Sequence, residues 1–422
     1  MKSTVEASEG KSEWKTLAAI AERVGPTFYL ADVSRFAFNC ERFLKAFRHQ
    51  YPRSSLAYSY KANYLPGFIR SADASGAYSE VVSGFEYEIA RELGIADERI
   101  IFNGPIKRDH ELRQALEGGA LVNADSLSEI HELASVSSCL PERVPVGIRC
   151  NLRSEGVSSR FGIDLRGPEA MEAIAAIDAA PKLRLAGLHF HVSGNRSADH
   201  YRACTRAMIR LHLEILGGRP LDFLDMGGGF AGPMSAELAT KCNASSATFD
   251  DYAQAIGGVM ADVYGAEGPE LILEPGMAIA ADAMVFTTRV EVIKMQHEPL
   301  AVVDGSRLFA QPPWNLHRRD ISLPMRVHAD PRGARRPVAA WRVVGPTCIE
   351  NDTLVERYEG PLGIGDFLQF INVGAYTNVL GAPFIRGIPP TVSNQSGGAI
   401  EVLHPGSTAR ELVRRYGSGG HG

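Results

Sequence analysis

The chain has 422 residues and no CxxC pair; its six cysteines, at 40, 139, 150, 204, 242 and 348, are scattered. That pattern argues against a disulfide framework or a zinc site and suits a reducing cytoplasm. No apolar run approaches the roughly 18 residues needed to span a bilayer, so no membrane partner is expected. The opening stretch, MKSTVEASEGKSEWK, lacks the apolar centre of a signal peptide. Basic blocks are absent and the net charge is −5, which argues against nucleic acid as a partner. No GxGxxG follows the first strand-like run, which weakens a dinucleotide-binding reading. What is present is the composition of a globular protein, 45% hydrophobic and 22% charged, in a chain too long for one ordinary core.

Between residues 36 and 279 short apolar runs alternate with stretches of helical period. The strand candidates are 56–60, 78–82, 100–102, 120–123, 146–150, 185–189, 223–226 and 271–274. Between them lie amphipathic segments such as GFEYEIARELG, DHELRQALEGG and SLSEIHELASV. Repeated alternation of this kind predicts parallel strands joined by crossover helices, and the number of units suits a (β/α)8 barrel, with a doubly wound open sheet as competitor. After residue 280 the texture becomes β-branched and broken by glycine and proline, as in AMVFTTRVEVIKMQ and DFLQFINVGAYT. Residues 280–410 are therefore expected to form a β-rich, barrel- or sandwich-like domain. Residues 1–35 read as a helix and a strand, the strand joining that β domain, and 411–422 as a flexible tail.

In such a barrel, function gathers at the C-terminal ends of the strands. The residues found there are Lys61, Ser83-Gly84, Asn103-Gly104, Asp125, Arg149 with Asn151, His189 with His191, the triple glycine 227–229, and Glu274. Each has an ordinary structural explanation: a solvated lysine, a core histidine, a flexible turn, an ion-paired glutamate. Together they describe one mouth. A lysine forms imines with aldehydes. Bare glycine N–H groups cradle phosphate. A flat imidazole stacks on an aromatic ring, and a carboxylate can keep a pyridine nitrogen protonated. Pyridoxal 5′-phosphate has all four matching parts.

The motifs YSYKAN, VVSGFE, SRFGI, HFHVSG, GGGF, EPG, GPTC and GAYT occur in this order across nearly the whole chain. In them the sequence resembles the fold-type III pyridoxal-phosphate enzymes, in the branch of diaminopimelate, ornithine and arginine decarboxylases. The resemblance implies a (β/α)8 TIM barrel with a C-terminal β domain and pyridoxal 5′-phosphate held as an imine on Lys61. It implies that His191 stacks on the cofactor ring and that Glu274 pairs with the pyridine nitrogen. Gly228, Gly229 and Tyr376, with Ser193, would hold the phosphate. It further implies a homodimer with shared sites, in which Cys348 reaches the neighbour's cofactor and, with Lys61, returns a proton to the product. Arg149, Glu350 and Asp352 are the candidates for substrate contact.

The expected reaction is decarboxylation of an amino acid or amino-acid derivative. A racemase of the same fold and an inactive decarboxylase-like binding protein are the alternatives, and Glu274 favours carbon–carbon cleavage because it deepens the electron sink. The chain departs from the pattern at Met277, where an arginine is common, at Ser193, one position early, at Ile349 after Cys348, and at Gln311. These departures speak against a free diamino-diacid or a simple basic amino acid and suit a derivatised or biosynthetic-pathway amino acid.

Overall fold

A computed structural model describes residues 6–7, 11–153, 156–157, 159–191, 194–241, 247–310, 323–336, 340–394 and 399–417. The chain divides into two compact units, Phe36–Ile279 and Met1–Arg35 with Ala280–Gly422.

In the first unit eight parallel strands close on themselves: Ser54–Ser59, Tyr78–Val81, Ile100–Phe102, Leu121–Ala124, Val144–Arg149, Leu183–His189, Phe223–Asp225 and Glu270–Leu273. The last pairs with the first, Leu271 opposite Ser54 and Leu273 opposite Leu56, so the sheet is a barrel and not an open one. Ala57, Ile101, Ala186, Phe223 and Ile272 form an apolar cluster inside it. Phe223 is the bulky member, and its neighbours are small for a reason. A Cβ on Gly187 would come within 2.5 Å of the Phe223 ring, and one on Gly147 within 2.9 Å. One aromatic thus fills space that small residues on adjacent strands leave open.

The crossover helices begin at sequence-encoded caps. Ser83 and Ser126 accept the N–H groups of Glu86 and Glu129 at the starts of helices Gly84–Glu92 and Leu127–Ser137. Each glutamate reaches back to the N–H before its cap, Glu86 to Val82 and Glu129 to Asp125, both at 2.7 Å. These S-x-x-E boxes fix where strand ends and helix starts, and so hold the barrel mouth in place.

The second unit is a ten-stranded sheet among the described residues. The early strand Phe28–Ala31 lies antiparallel to Met284–Lys294 and parallel to Thr391–Asn394. Trp14, Leu17 and Ile20 of helix Lys11–Val24 pack with Phe28, Phe367 and Val392. The segment expected as a flexible tail, 411–422, instead begins within a helix, Ala409–Arg415, because Thr408 and Glu411 form a reciprocal capping box.

Asp352, expected to contact substrate, is spent inside this unit. It is 3% exposed. Its Oδ1 accepts Ser306 Oγ and Arg307 N, both at 2.9 Å, and its Oδ2 accepts Thr347 Oγ1 at 2.7 Å. The carboxylate ties the loop after Leu300–Val303 to the loop before Thr353–Tyr358. Asp352→Ala should leave these donors unmet and cost about 2–3 kcal/mol of stability, read as a lowered urea midpoint. Unchanged stability would show that the brace contributes nothing.

Candidate active site

A continuous polar ring lines the top of the barrel. Lys61 sits in a single 3-10 turn, Tyr60–Ala62, directly after the first strand. Its ammonium pairs with Glu80, which is 1% exposed, and Ser59 Oγ donates to the same carboxylate. Asn103 Nδ2 donates to both Glu80 Oε1, at 3.0 Å, and Glu274 Oε1, at 2.6 Å. Asn123 in turn donates to Asn103 Oδ1 at 2.9 Å. Two buried carboxylates are thus joined through one amide, and Lys61 neutralises the first of them.

Glu80 was not among the residues expected here. Glu80 lies inside the second strand, ahead of the polar signal Ser83-Gly84 that follows it. The signal was present: a charged residue in the middle of a four-residue strand, Tyr78–Val81, that must bury one face.

Around Glu274 the charges are set by competition. Burial pushes its carboxyl upward, but the neighbouring His189 and Lys61 outweigh burial and hold it well below the usual carboxylate range. His189 Nε2 lies 3.5 Å from Glu274 Oε1 without meeting hydrogen-bond geometry. Asp225, fully buried beside Glu274, is driven the other way, first by burial and then by Glu274 itself, so it favours the neutral acid. Burial, then the charges of Lys61 and Arg149, push His191 well below the ordinary histidine range against the pull of Glu274. A second observation agrees that His191 is neutral. Gly228 N–H donates to its Nδ1 at 2.9 Å, so Nδ1 carries no proton and Nε2 does.

These groups open on a cavity of about 470 Å3 lined by Lys61, Glu80, Arg149, Arg160, His191 and Glu274. Arg149 reaches Asp125 Oδ1 at 3.3 Å, and the Arg149 and Arg160 guanidinium groups lie 4.6 and 4.1 Å from the centre of the Phe161 ring. The glycine loop is as tight as its composition suggests. Gly227 has φ +63°, and a Cβ on Gly228 would stand 2.2 Å from the Glu274 carbonyl oxygen. Gly229 turns its carbonyl to Arg196 Nη1 at 3.2 Å.

The structure therefore brings together Lys61, His191, Glu274, Arg149, Gly228 and Gly229. Ser193 and Gln311 lie outside the described residues. Cys348, Glu350 and Tyr376 belong to the β unit. Cys348 and Glu350 are exposed on the loop after Trp341–Val344. Tyr376 is held at φ +65° ahead of helix Thr377–Leu380, a conformation that costs a side chain of this size about 1 kcal/mol or more.

Residues 39–281 match the family described as pyridoxal-dependent decarboxylase, pyridoxal binding domain, and the chain belongs to that family. It is 30% identical to a diaminopimelate decarboxylase of Actinosynnema pretiosum subsp. auranticum, over 88% of this chain and 85% of the relative. It is 26% identical to the diaminopimelate decarboxylase of Methanothermobacter thermautotrophicus, over 94% and 92%. Antizyme inhibitor 2 of Xenopus laevis is 27% identical over 83% and 76%. The solved structure of a diaminopimelate decarboxylase from M. jannaschii with L-lysine superposes with a TM-score of 0.81 over 94% of this chain and 93% of that one, at 23% identity, a likeness of fold. The protein is a pyridoxal-phosphate-dependent amino-acid decarboxylase with a TIM barrel and a β-rich second unit. The site suits that cofactor: one cavity offers an amine, a neutral flat ring and a buried anion, and the glycine loop adjoins it through the Gly228 N–H bond to His191.

Glu86, 2% exposed, borders this network, and burial followed by Glu80 pushes its carboxyl from the usual 4.5 up to about 7. The folded protein thus holds this proton more tightly than the unfolded chain does. Its contribution to stability is complete below the unfolded value and is lost as pH rises through about 7. Glu86→Gln, which keeps an acceptor for Val82 N–H, should flatten the fall in melting temperature across that window. Parallel curves for wild type and variant would contradict the shift.

Proposed function

We propose that Lys61 is the residue that holds the cofactor, and that Glu80, Ser59 and Asn103 orient its amine. Glu274 keeps a positive charge on the cofactor's ring nitrogen, and His191 offers a neutral, flat face to the ring. The observation that carries this reading is the placement of the Glu274 carboxylate at the barrel mouth, where it accepts Asn103 Nδ2 at 2.6 Å and lines the same cavity as Lys61 and His191. When bound, the cofactor supplies the sink for the electron pair left on the α-carbon as CO2 departs. Glu274 deepens that sink by stabilising the charged form of the nitrogen, which favours loss of CO2 over racemisation. Lys61 is one candidate to return the proton to the α-carbon; Cys348 is the other, on resemblance alone.

For the substrate we favour an amino acid with a distal carboxylate. Arg149 and Arg160 line the cavity. Arg160 has no carboxylate partner among the described residues, and both guanidinium groups are braced by Phe161. Diaminopimelate, named in several relatives, and diamino acids acylated by a di- or tricarboxylic acid, such as citryl derivatives, meet that description. A cytoplasmic homodimer with shared sites completes the reading. The resemblance supports the dimer, and the free state of the described cysteines supports a reducing compartment.

The test has two parts. Borohydride reduction of the purified protein, followed by peptide mapping, should fix pyridoxal phosphate to Lys61. The same protein should release CO2 from at least one member of a panel of diaminopimelate, lysine, ornithine, arginine and their acylated or citryl derivatives, and Lys61→Ala should not. Labelling of another lysine would refute the assignment. Cofactor binding without CO2 release from any member would favour a binding role, of the kind the name of the Xenopus relative suggests.

Shared sites predict a second result. Lys61→Ala and Cys348→Ala should each be nearly inactive. Mixing them under conditions of subunit exchange should restore up to about a quarter of wild-type activity, because each heterodimer has one site free of both lesions. Exchange without recovery would exclude the shared arrangement.

A further inference from the structure

Arg196 occupies a position that the catalytic reading leaves unused. It lies on the segment that leads into helix Ala198–Arg210, and its side chain is half-buried. Nη1 donates to the Gly229 carbonyl at 3.2 Å and stands 3.7 Å from Met277 Sδ. Among the described residues its guanidinium meets no carboxylate, only the Gly229 carbonyl and Met277 Sδ. Its backbone is held firmly. The Arg196 carbonyl accepts Tyr252 Oη at 2.5 Å, and that hydroxyl also receives Ala231 N–H at 3.2 Å. Tyr201, whose Oη donates to the Gly228 carbonyl at 2.7 Å, packs edge-on to Tyr252 with ring centres 5.5 Å apart. Two buried tyrosines therefore lock the Arg196 backbone and the glycine loop to each other.

The result is an uncompensated positive charge beside a glycine loop. Among the described residues no acceptor meets the N–H groups of Gly229 and Phe230. Met277, the other side chain at this corner, brings no charge. A phosphate dianion would meet both needs, the unpaired cation and the open N–H groups. We propose that Arg196 is a cofactor-phosphate ligand of this protein, supplying from the barrel's sixth crossover the cation that position 277 does not. The assignment rests on the reading of the cavity as the pyridoxal-phosphate site. Arg196 also explains how a chain with methionine at 277 keeps a charged grip on that group.

The experiment titrates full-length protein, stripped of cofactor, with pyridoxal phosphate and separately with pyridoxal, which lacks the phosphate. Binding is followed by absorbance and by quenching of intrinsic fluorescence, with no assay of activity. Arg196→Met should weaken pyridoxal phosphate about tenfold or more, the loss of a charge-assisted contact, and leave pyridoxal unchanged. Arg196→Lys should lie between. Because the two side chains touch, moving the cation across the contact in the double variant Arg196→Met/Met277→Arg should recover most of the lost affinity. Inorganic phosphate should compete with pyridoxal phosphate on the wild type and much less on Arg196→Met.

Equal affinity of wild type and Arg196→Met for pyridoxal phosphate would overturn the assignment. So would equal losses for both ligands, with no recovery in the double variant, since that pattern marks a purely structural residue. Wild-type protein that binds neither ligand would overturn the cofactor reading, and this assignment with it. Wild-type protein that binds both equally would leave the cofactor reading standing and remove the phosphate contact alone.

Discussion

Two carboxylates buried at the mouth of the barrel, Glu80 and Glu274, are the constraint on which the rest of the site depends. Burying an ionised carboxylate costs several kcal/mol unless charge and hydrogen bonds offset it. The offsets are visible strand by strand. Lys61 and Ser59 answer Glu80, Asn103 bridges the two acids, and His189 stands near Glu274. Once Glu274 is held anionic, its neighbours must adjust, and Asp225 is driven toward the neutral acid. Burial, with the charges of Lys61 and Arg149, keeps His191 neutral against the pull of Glu274. The mouth therefore has a fixed pattern of charge before any ligand arrives, and such a pattern can favour one charge state of a bound ring over another without reorganising.

The scaffold makes that pattern rigid. Serine caps at Ser83 and Ser126, with Glu86 and Glu129 holding the N–H groups of Val82 and Asp125, end strands where the polar ring begins. Below the ring, Phe223 fills the barrel against glycines that could carry no larger residue. Glycine serves a different end above it, where Gly228 must pass close to the Glu274 carbonyl while offering its N–H to His191. One residue type thus permits both the packing of the floor and the close approach of the loop.

Much of this was legible in the sequence. The strand runs, the helical segments between them and the polar residues after each strand were read from periodicity, because a closed parallel barrel buries its strands and exposes only their ends. The two units follow from the loss of helical period after residue 280. Three things were not legible. Glu80 lies within a strand, where a search of strand ends does not look. Arg196 reaches Gly229 across 33 positions of sequence, a contact that only the fold creates. Asp352 was read as a substrate ligand because it follows Cys348 closely, yet neighbouring loops of its own unit consume both of its oxygens. Proximity in sequence to a motif says little about which way a carboxylate points.

The central claim is that Glu274 remains an anion in the folded protein and keeps the cofactor's ring nitrogen protonated. The most direct measurement is the nitrogen-15 chemical shift of ring-labelled pyridoxal phosphate bound to the wild-type protein, followed from mildly acidic to mildly alkaline pH. The account predicts a protonated-nitrogen shift that does not move over this range in the wild type, and that moves to the unprotonated value in Glu274→Ala. An unprotonated shift in the wild type would contradict it.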